Sequence, residues 1–447
     1  MADRIPAGLL QEEDKPELPE EYFFILGRDP GLSYFSEPEW VIRRSAGARV
    51  CQYAASEFPE MQALLDDGLD HRWSQGASVV FEVNTVPVLA EHVEFRGGSA
   101  RIGGKYLLNG ASGDRVYTRY LKHNPSMPSF RRANRYFSQA KAETDLELPV
   151  TSRDLGDVPV GIECRNRRNY YHFMTESFAQ LVHFADARPK RISFHCRGAE
   201  PSGFSAAFVN TLFPELVDCV EFIEGRESYD NAALALNFRH ILYANGDPRI
   251  TTELERVAAD PAWEQVTSHA RRRNMVLEST FDSSLRLTRE RALKYIPKGL
   301  IEKFPRKIWV SRDNRAGINQ RPMVGEAELF AELQAHGFER IYFEHLSPLE
   351  QIAAIQAADS IISMHGAFFA NMMFARPETH FIELGTLQIQ RHRWGDFLGN
   401  AHSAQCRYST VFVDAAEDEP SKLRPISTGM SPVQVGRKAI DLIVSLI

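Results

Sequence analysis

His172 and Glu176 stand four residues apart in the segment NYYHFMTESFAQLVHFA, residues 169–185. On a helix that spacing puts an imidazole and a carboxylate on one face, opposite an apolar stripe of Met174, Phe178, Leu181 and Ala185. A histidine polarised by a carboxylate is a competent general base near neutral pH. The same spacing also occurs in ordinary helix-surface contacts. Asn169 is placed to cap the helix. No third ligand lies at metal-site spacing, so zinc is not expected.

A second group of polar residues interrupts an apolar stretch. In SMHGAFFANMMFARPETHFIELG, residues 363–385, the interruptions are His365, Asn371 and Glu383. His365, Gly366 and Ala367 follow the strand-like SIISM and begin a short helix that contains Asn371. Glycine lets the backbone approach a ligand closely, and the free N–H groups of a helix start can receive phosphate. Glu383, near the end of the next strand, is expected to open on the same rim and accept both hydroxyls of a ribose. The connection SRDNRAGINQRPMVGE adds Ser311, Arg312, Arg315 and Arg321. Arginine matches phosphate oxygens bidentately, and three of them could neutralise a diphosphate without metal. The plainer alternative is a capping histidine, a satisfied core asparagine, a strand-end glutamate and a solvated basic loop.

These residues need strands and helices to position them. From Val158 the sequence alternates: VPVGIEC reads as a strand, 169–185 as a helix, RISFHC as a strand, PSGFSAAFVNTLF as a helix, and DCVEFIE and ALNFRHILYAN as further strands. A second set follows from Lys307. KIWVS, RIYFE, SIISM, HFIELG and RYSTVFV are its strands. Its helices are VGEAELFAELQAHG, stopped by Gly337, then one opened by a Ser347–Glu350 capping box with Pro348 at its first position, then FFANMMFA. A second capping box, Ser431 to Gln434, is expected to open a final helix with Ile440, Ile443 and Ile447 on its buried side. Alternation of this kind predicts an α/β fold with parallel sheets. Upstream, residues 78–108 read as a β-meander with turns at Gly97-Gly98 and Gly103-Gly104. The stretch from there to Pro149, with Arg131, Arg132 and Arg135, has no clear period and is expected to be a solvated face. The expected division is residues 1–150 as an N-terminal extension and β-meander, 151–300 as a first domain ending in a charged helical passage, and 301–447 as a second.

At 447 residues the chain is long enough for two domains. Its formal net charge of -7, without long single-sign runs, argues against a general nucleic-acid or anionic-membrane binder. Five scattered cysteines with no CxxC pair are expected to be buried free thiols in a reducing compartment. The acidic first thirty residues lack signal-peptide order, and no apolar run approaches the roughly 20 residues that span a bilayer. A soluble cytoplasmic protein is the expectation.

SRDNR, Arg321, Glu326, LSPLEQI, HGAFFANMMFARP and FIELG together resemble the C-terminal domain of the family 61 glycosyltransferases. NYYHFMTESFAQL resembles that family's N-terminal Asn-x-x-His-x-x-x-acid helix. The resemblance runs from Val158 onward with a gap over the helical passage. Two positions depart from it: Gly325 stands where asparagine is usual, and Phe368-Phe369 where a small residue and then leucine are usual. The resemblance implies a GT-B arrangement, two Rossmann-like domains facing a cleft, here with an N-terminal β-rich elaboration. It also implies inverting transfer from a nucleotide diphospho-sugar, UDP-linked, to a glycan or lipid-linked glycan, without metal or cofactor. His172 oriented by Glu176, or Glu176 itself, would be the base. Arg312, Arg315 or Arg321, His365, Gly366 and Ala367 would meet the diphosphate, Glu383 the ribose, and Asn371 would hold the loop. Asn169 and Phe368 would lie toward the acceptor. A bacterial enzyme of surface or capsular polysaccharide synthesis, working with assembly partners at the inner face of the membrane, fits this picture. A dehydrogenase is disfavoured because the expected G-x-G-x-x-G turn is missing. A silent glycan-binding or scaffold protein on the same fold is the rival reading.

Overall fold

A computed structural model describes residues 18–70, 80–123, 127–143, 147–197, 203–244, 279–313, 323–417, 425–426 and 429–447. They form two compact units. The N-terminal unit draws on residues 18–45 and 81–291, the C-terminal unit on 46–80 and 292–447. The strands in chain order begin with β1 (Leu32–Tyr34), β2 (Ile42–Ser45), β3 (Arg49–Ala54), β4 (Val80–Val83), β5 (Thr85–Arg96), β6 (Ser99–Ile102) and β7 (Lys105–Tyr106). Then come β8 (Val160–Cys164), β9 (Ile192–Cys196), β10 (Val220–Glu224), β11 (Arg226–Asn237), β12 (Thr280–Asp282) and β13 (Lys307–Ser311). The last are β14 (Met323–Val324), β15 (Glu339–Tyr342), β16 (Ser360–Met364), β17 (His380–Thr386), β18 (Arg407–Ala415) and β19 (Val433–Gln434).

The main sheet of the N-terminal unit has the order β10-β9-β8-β11-β5-β6-β7, with β1 also on β5. Strands β8, β9 and β10 are parallel neighbours, and β11 joins β8 in parallel through Ala233 opposite Val160. From β11 outward the pairing is antiparallel, so the expected meander extends the α/β sheet rather than standing apart. Its glycine turns take positive φ, 56° and 81° at Gly97 and Gly98. Two helices, Gly110–His123 and Met127–Glu143, occupy the stretch that has no clear period and is expected to be a solvated face. They bury Val116, Tyr117 and Tyr120, and Ala133, Phe137 and Ala140. This narrow stripe of small and aromatic residues is diluted by the basic ones between. The strand expected at ALNFRHILYAN ends at Asn237, and Ile241–Ala244 is helical instead. Of the helical passage expected over 250–300, residues 250–278 lie outside the described residues.

In the C-terminal unit the parallel strands are ordered β15-β13-β16-β17-β18. Counted along the chain this is 2-1-3-4-5, the doubly wound order whose switch point falls between the first and third strands. Trp309, Ile362, Met364, Ile382, Leu384, Val411 and Val413 cover one face and pack against Leu329, Leu333, Ile440 and Ile443. The Ser347 capping box has both arms, and Gly337 follows its helix at φ 84°.

Two expectations are corrected here. Ser431 opens no helix: Val433 and Gln434 form β19, paired to Met323-Val324 and to Asp414-Ala415, and the last helix begins at Arg437 after Gly436. The backbone N–H of Ser431 donates instead to Gln388 Oε1 at 2.9 Å. Residues 46–70 group with the C-terminal unit and not with the rest of the expected N-terminal extension, because β3 pairs in parallel with β18 from Arg49 opposite Arg407 to Ala54 opposite Phe412. Such a long-range pairing leaves no local sequence signal.

Candidate active site

The parallel strands of the N-terminal unit change direction of succession at β8, with β9 and β10 to one side and β11 to the other. Ligands of open α/β sheets bind beyond the carboxyl end of a strand at such a point. Arg165 directly follows β8, and four residues later Asn169 opens the helix, its Oδ1 accepting from the His172 N–H at 3.3 Å. The helix is not the uninterrupted one expected. It is α-helical over Tyr170–His172, π-helical over Phe173–Ser177 and 3₁₀ over Phe178–His183. Side chains compete for its carbonyls: Gln180 Nε2 donates to the Glu176 carbonyl at 2.6 Å and Thr175 Oγ1 to that of Tyr171 at 2.8 Å. Single π turns of this sort are frequent at functional sites. Met174, Phe178, Leu181 and Ala185 are buried, as the stripe predicted.

Within the break, His172 Nδ1 lies 2.7 Å from Glu176 Oε1. Arg165 completes the cluster. Its Nε and Nη2 donate to the two oxygens of Glu176, and Nη2 is also 2.7 Å from His172 Nδ1. Burial alone would raise the Glu176 pKa, but the Arg165 guanidinium and the His172 hydrogen bond overcome it and hold the carboxyl down at about 2. Burial opposes the Arg165 charge in turn, and Glu176 more than restores it. Glu176 is therefore a fixed anion. Arg165 escapes the helix spacing that marks His172 and Glu176, because it stands at the strand end before the helix. A further signal was Gly98: a Cβ there would stand 3.0 Å from Arg165 Cα and 3.1 Å from its N, so the meander turn packs on the backbone that carries this arginine.

In the C-terminal unit, His365 and Gly366 follow β16 and Arg312 follows β13, the two strands that flank the switch point. The His365 N–H donates to the Leu384 carbonyl at 2.9 Å, its ring lies 4.8 Å from that of Phe397, and Nδ1 bonds Glu383 Oε1. Glu383 does not open on the rim. It is 1% exposed, and its other oxygen accepts from the Tyr408 hydroxyl and, at 3.4 Å, from Thr410 Oγ1. Its carboxylate is taken up from inside the sheet, where it anchors His365. Burial and the neighbouring Glu383 push the Tyr408 hydroxyl well up, so it stays a donor.

Ser311 is likewise turned inward, its hydroxyl donating to Glu326 Oε1 at 2.9 Å. Gly366 has φ 173°, extended backbone open to any residue, yet a Cβ there would strike Arg312 Nη2. Arg312 makes no hydrogen bond or ion pair with a described residue; burial lowers its pKa, opposed by the charge of Glu344. Ala367 starts a 3₁₀ helix, Ala367–Phe374, in which Asn371 is buried. Asn400, overlooked in the sequence, ties this turn down through Nδ2 to the Ala370 carbonyl at 3.0 Å. Phe368 is half-buried against Phe343 at 4.6 Å, and Phe369 stacks on Phe397 at 4.9 Å. Arg315 and Arg321 lie outside the described residues.

Residues 170–382 match the family model described as Glycosyltransferase 61. That match assigns residues 170–382 to glycosyltransferase family 61. No curated protein matches it. The matched region of this family 61 glycosyltransferase begins in the His172 helix and ends one residue before Glu383, so both polar clusters are reached by it. Membership gives a transferase with a sugar donor and a glycan acceptor. Among the described residues of the glycosyltransferase, no group of three or more His, Cys, Asp or Glu could hold a metal ion, and no helix is long and apolar enough to cross a membrane. None of the five cysteines is in a disulfide; Cys164, Cys196 and Cys406 are buried, whereas Cys219 is half-buried and Cys51 exposed, contrary to expectation.

Proposed function

We propose that the protein is an inverting, metal-independent glycosyltransferase of GT-B type that moves a sugar from a UDP-linked donor to a hydroxyl of a glycan. The observation that carries this is the His172–Glu176 contact at 2.7 Å, with both carboxylate oxygens held by Arg165. A carboxyl held at about 2 is a weak base near neutral pH, which favours His172 over Glu176 as the group that takes the proton. With Nδ1–H donated to Glu176, Nε2 carries the lone pair. It accepts the acceptor hydroxyl's proton as that oxygen bonds to the anomeric carbon. The bond from that carbon to the diphosphate oxygen breaks on the opposite face, and its electron pair leaves with the nucleoside diphosphate.

The leaving group needs positive charge placed in advance. Arg312, half-buried beside Gly366 without a hydrogen-bond partner among the described residues, suits an anionic ligand, and His365, anchored by Glu383, directly precedes Gly366 at the end of β16. We assign Arg315 and Arg321 to the same diphosphate on their sequence position alone. The acceptor class, a surface or capsular glycan, lipid-linked or free and met on the cytoplasmic side of a membrane, rests on the family resemblance.

The test is release of nucleoside diphosphate from a panel of nucleotide sugars with glycan acceptors. Turnover with one donor, lost in His172→Ala and accompanied by inverted product stereochemistry, is the expected result. Glycan binding without turnover on any donor would overturn it.

A further inference from the structure

We propose that Arg165 is the positioning residue of the proton-transfer pair, gripping Glu176 so that its carboxylate presents Oε1 to His172 Nδ1; this rests on the transferase reading above. Arg165 does not reach the reacting atoms in this scheme. It acts through Glu176. Its Nε and Nη2 take one oxygen each, the fork geometry by which a guanidinium fixes both the place and the plane of a carboxylate. The helix alone does not supply that precision, because Glu176 sits on a π turn whose backbone bonds are partly given over to side chains.

The seat of Arg165 is built for it. Its backbone leaves the end of β8 and is backed by Gly98, whose missing side chain permits the approach. Besides Glu176 and His172, the charged or titratable groups facing it are Tyr171, one residue before His172, and Asp114 on the helix Gly110–His123. Neither of these neutralises Glu176. Arg165 also has a cost: its Nη2 competes with Glu176 for His172 Nδ1, since a guanidinium can only donate there. The contact ties the protonation state of the carboxylate to the tautomer of the base.

The experiment uses the full chain with Arg165→Lys and Arg165→Gln, following donor turnover from about pH 5 to pH 9 and the Glu176 carboxyl by carbon NMR. In Arg165→Gln, kcat should fall about ten- to a hundredfold while donor KM stays within about threefold. The acid limb of kcat should move to higher pH, as a buried carboxyl without its cation protonates more readily. Arg165→Lys, which keeps the charge but not the fork, should recover part of kcat and most of the acid limb. Wild-type kcat and pH profile in Arg165→Gln would overturn the proposal. If that variant does not fold, Arg165→Lys decides: a melting temperature near wild type with lowered kcat supports it, and unchanged kcat sinks it. If the wild type turns over no donor, the transferase reading fails. The carbon signal then still judges Arg165, whose hold on Glu176 is refuted if the carboxyl signal in Arg165→Gln matches that of wild type across the whole range.

Discussion

The guanidinium of Arg312 occupies the space that a side chain on Gly366 would need. Because Gly366 is extended, alanine there brings no backbone strain, and the arginine tip can swing aside. Gly366→Ala should therefore leave the melting temperature within a few degrees of wild type while weakening UDP binding about tenfold or more, about 1.4 kcal/mol. Calorimetric titration with UDP checks this. Unchanged affinity would mean that Arg312 does not meet the diphosphate.

Tyr408 and Glu383 set a second expectation. Tyr408→Phe keeps the ring and removes the hydroxyl that Glu383 Oε2 accepts from, leaving that oxygen with the 3.4 Å contact to Thr410. An under-satisfied buried carboxylate costs roughly 1–3 kcal/mol, readable as a lower urea midpoint at unchanged slope. A midpoint equal to wild type would show that the bond contributes nothing.

Glu176 has its folded pKa lowered from 4.5 to about 2, so the unfolded chain binds its proton first as pH falls. Its stabilisation is complete above pH 4.5 and is lost as pH drops from there toward about 2. At about 1.4 kcal/mol per unit the loss is on the order of 3 kcal/mol. Glu176→Gln should flatten stability against pH over that window relative to wild type, and an identical slope would count against the ion cluster.

Glu163 behaves in the opposite sense. Burial raises its pKa from 4.5 to about 7, against hydrogen bonds from the Ala100 N–H at 2.7 Å and Asn109 Nδ2 at 2.9 Å. Between those two values the folded chain holds the proton and the unfolded chain does not, so stability declines as pH rises from 4.5 to about 7. Glu163→Gln, which cannot ionise, should remove that decline even though it is less stable at the acid end. Thermal melts at about half-unit pH intervals would show it, and the same decline in both proteins would refute the assignment.

The sequence by itself determined many of the elements and the spacing of His172 and Glu176. Alternating apolar runs with caps fixed the strands β13, β16 and β17 and the Ser347 box, because local periodicity and capping are written in neighbouring residues. The same locality made His172 and Glu176 visible as an i,i+4 pair. Tertiary structure decided which partners those residues meet. Arg165 reaches Glu176 from the end of a strand, and Glu383 looked like a rim residue until Tyr408 and Thr410 of the adjacent strand took its carboxylate. Residues 46–70 joined the C-terminal unit through the pairing of β3 with a strand more than three hundred positions away. Hydrogen bonds across a sheet depend on strand order and register. Neither is encoded in the spacing along any single segment.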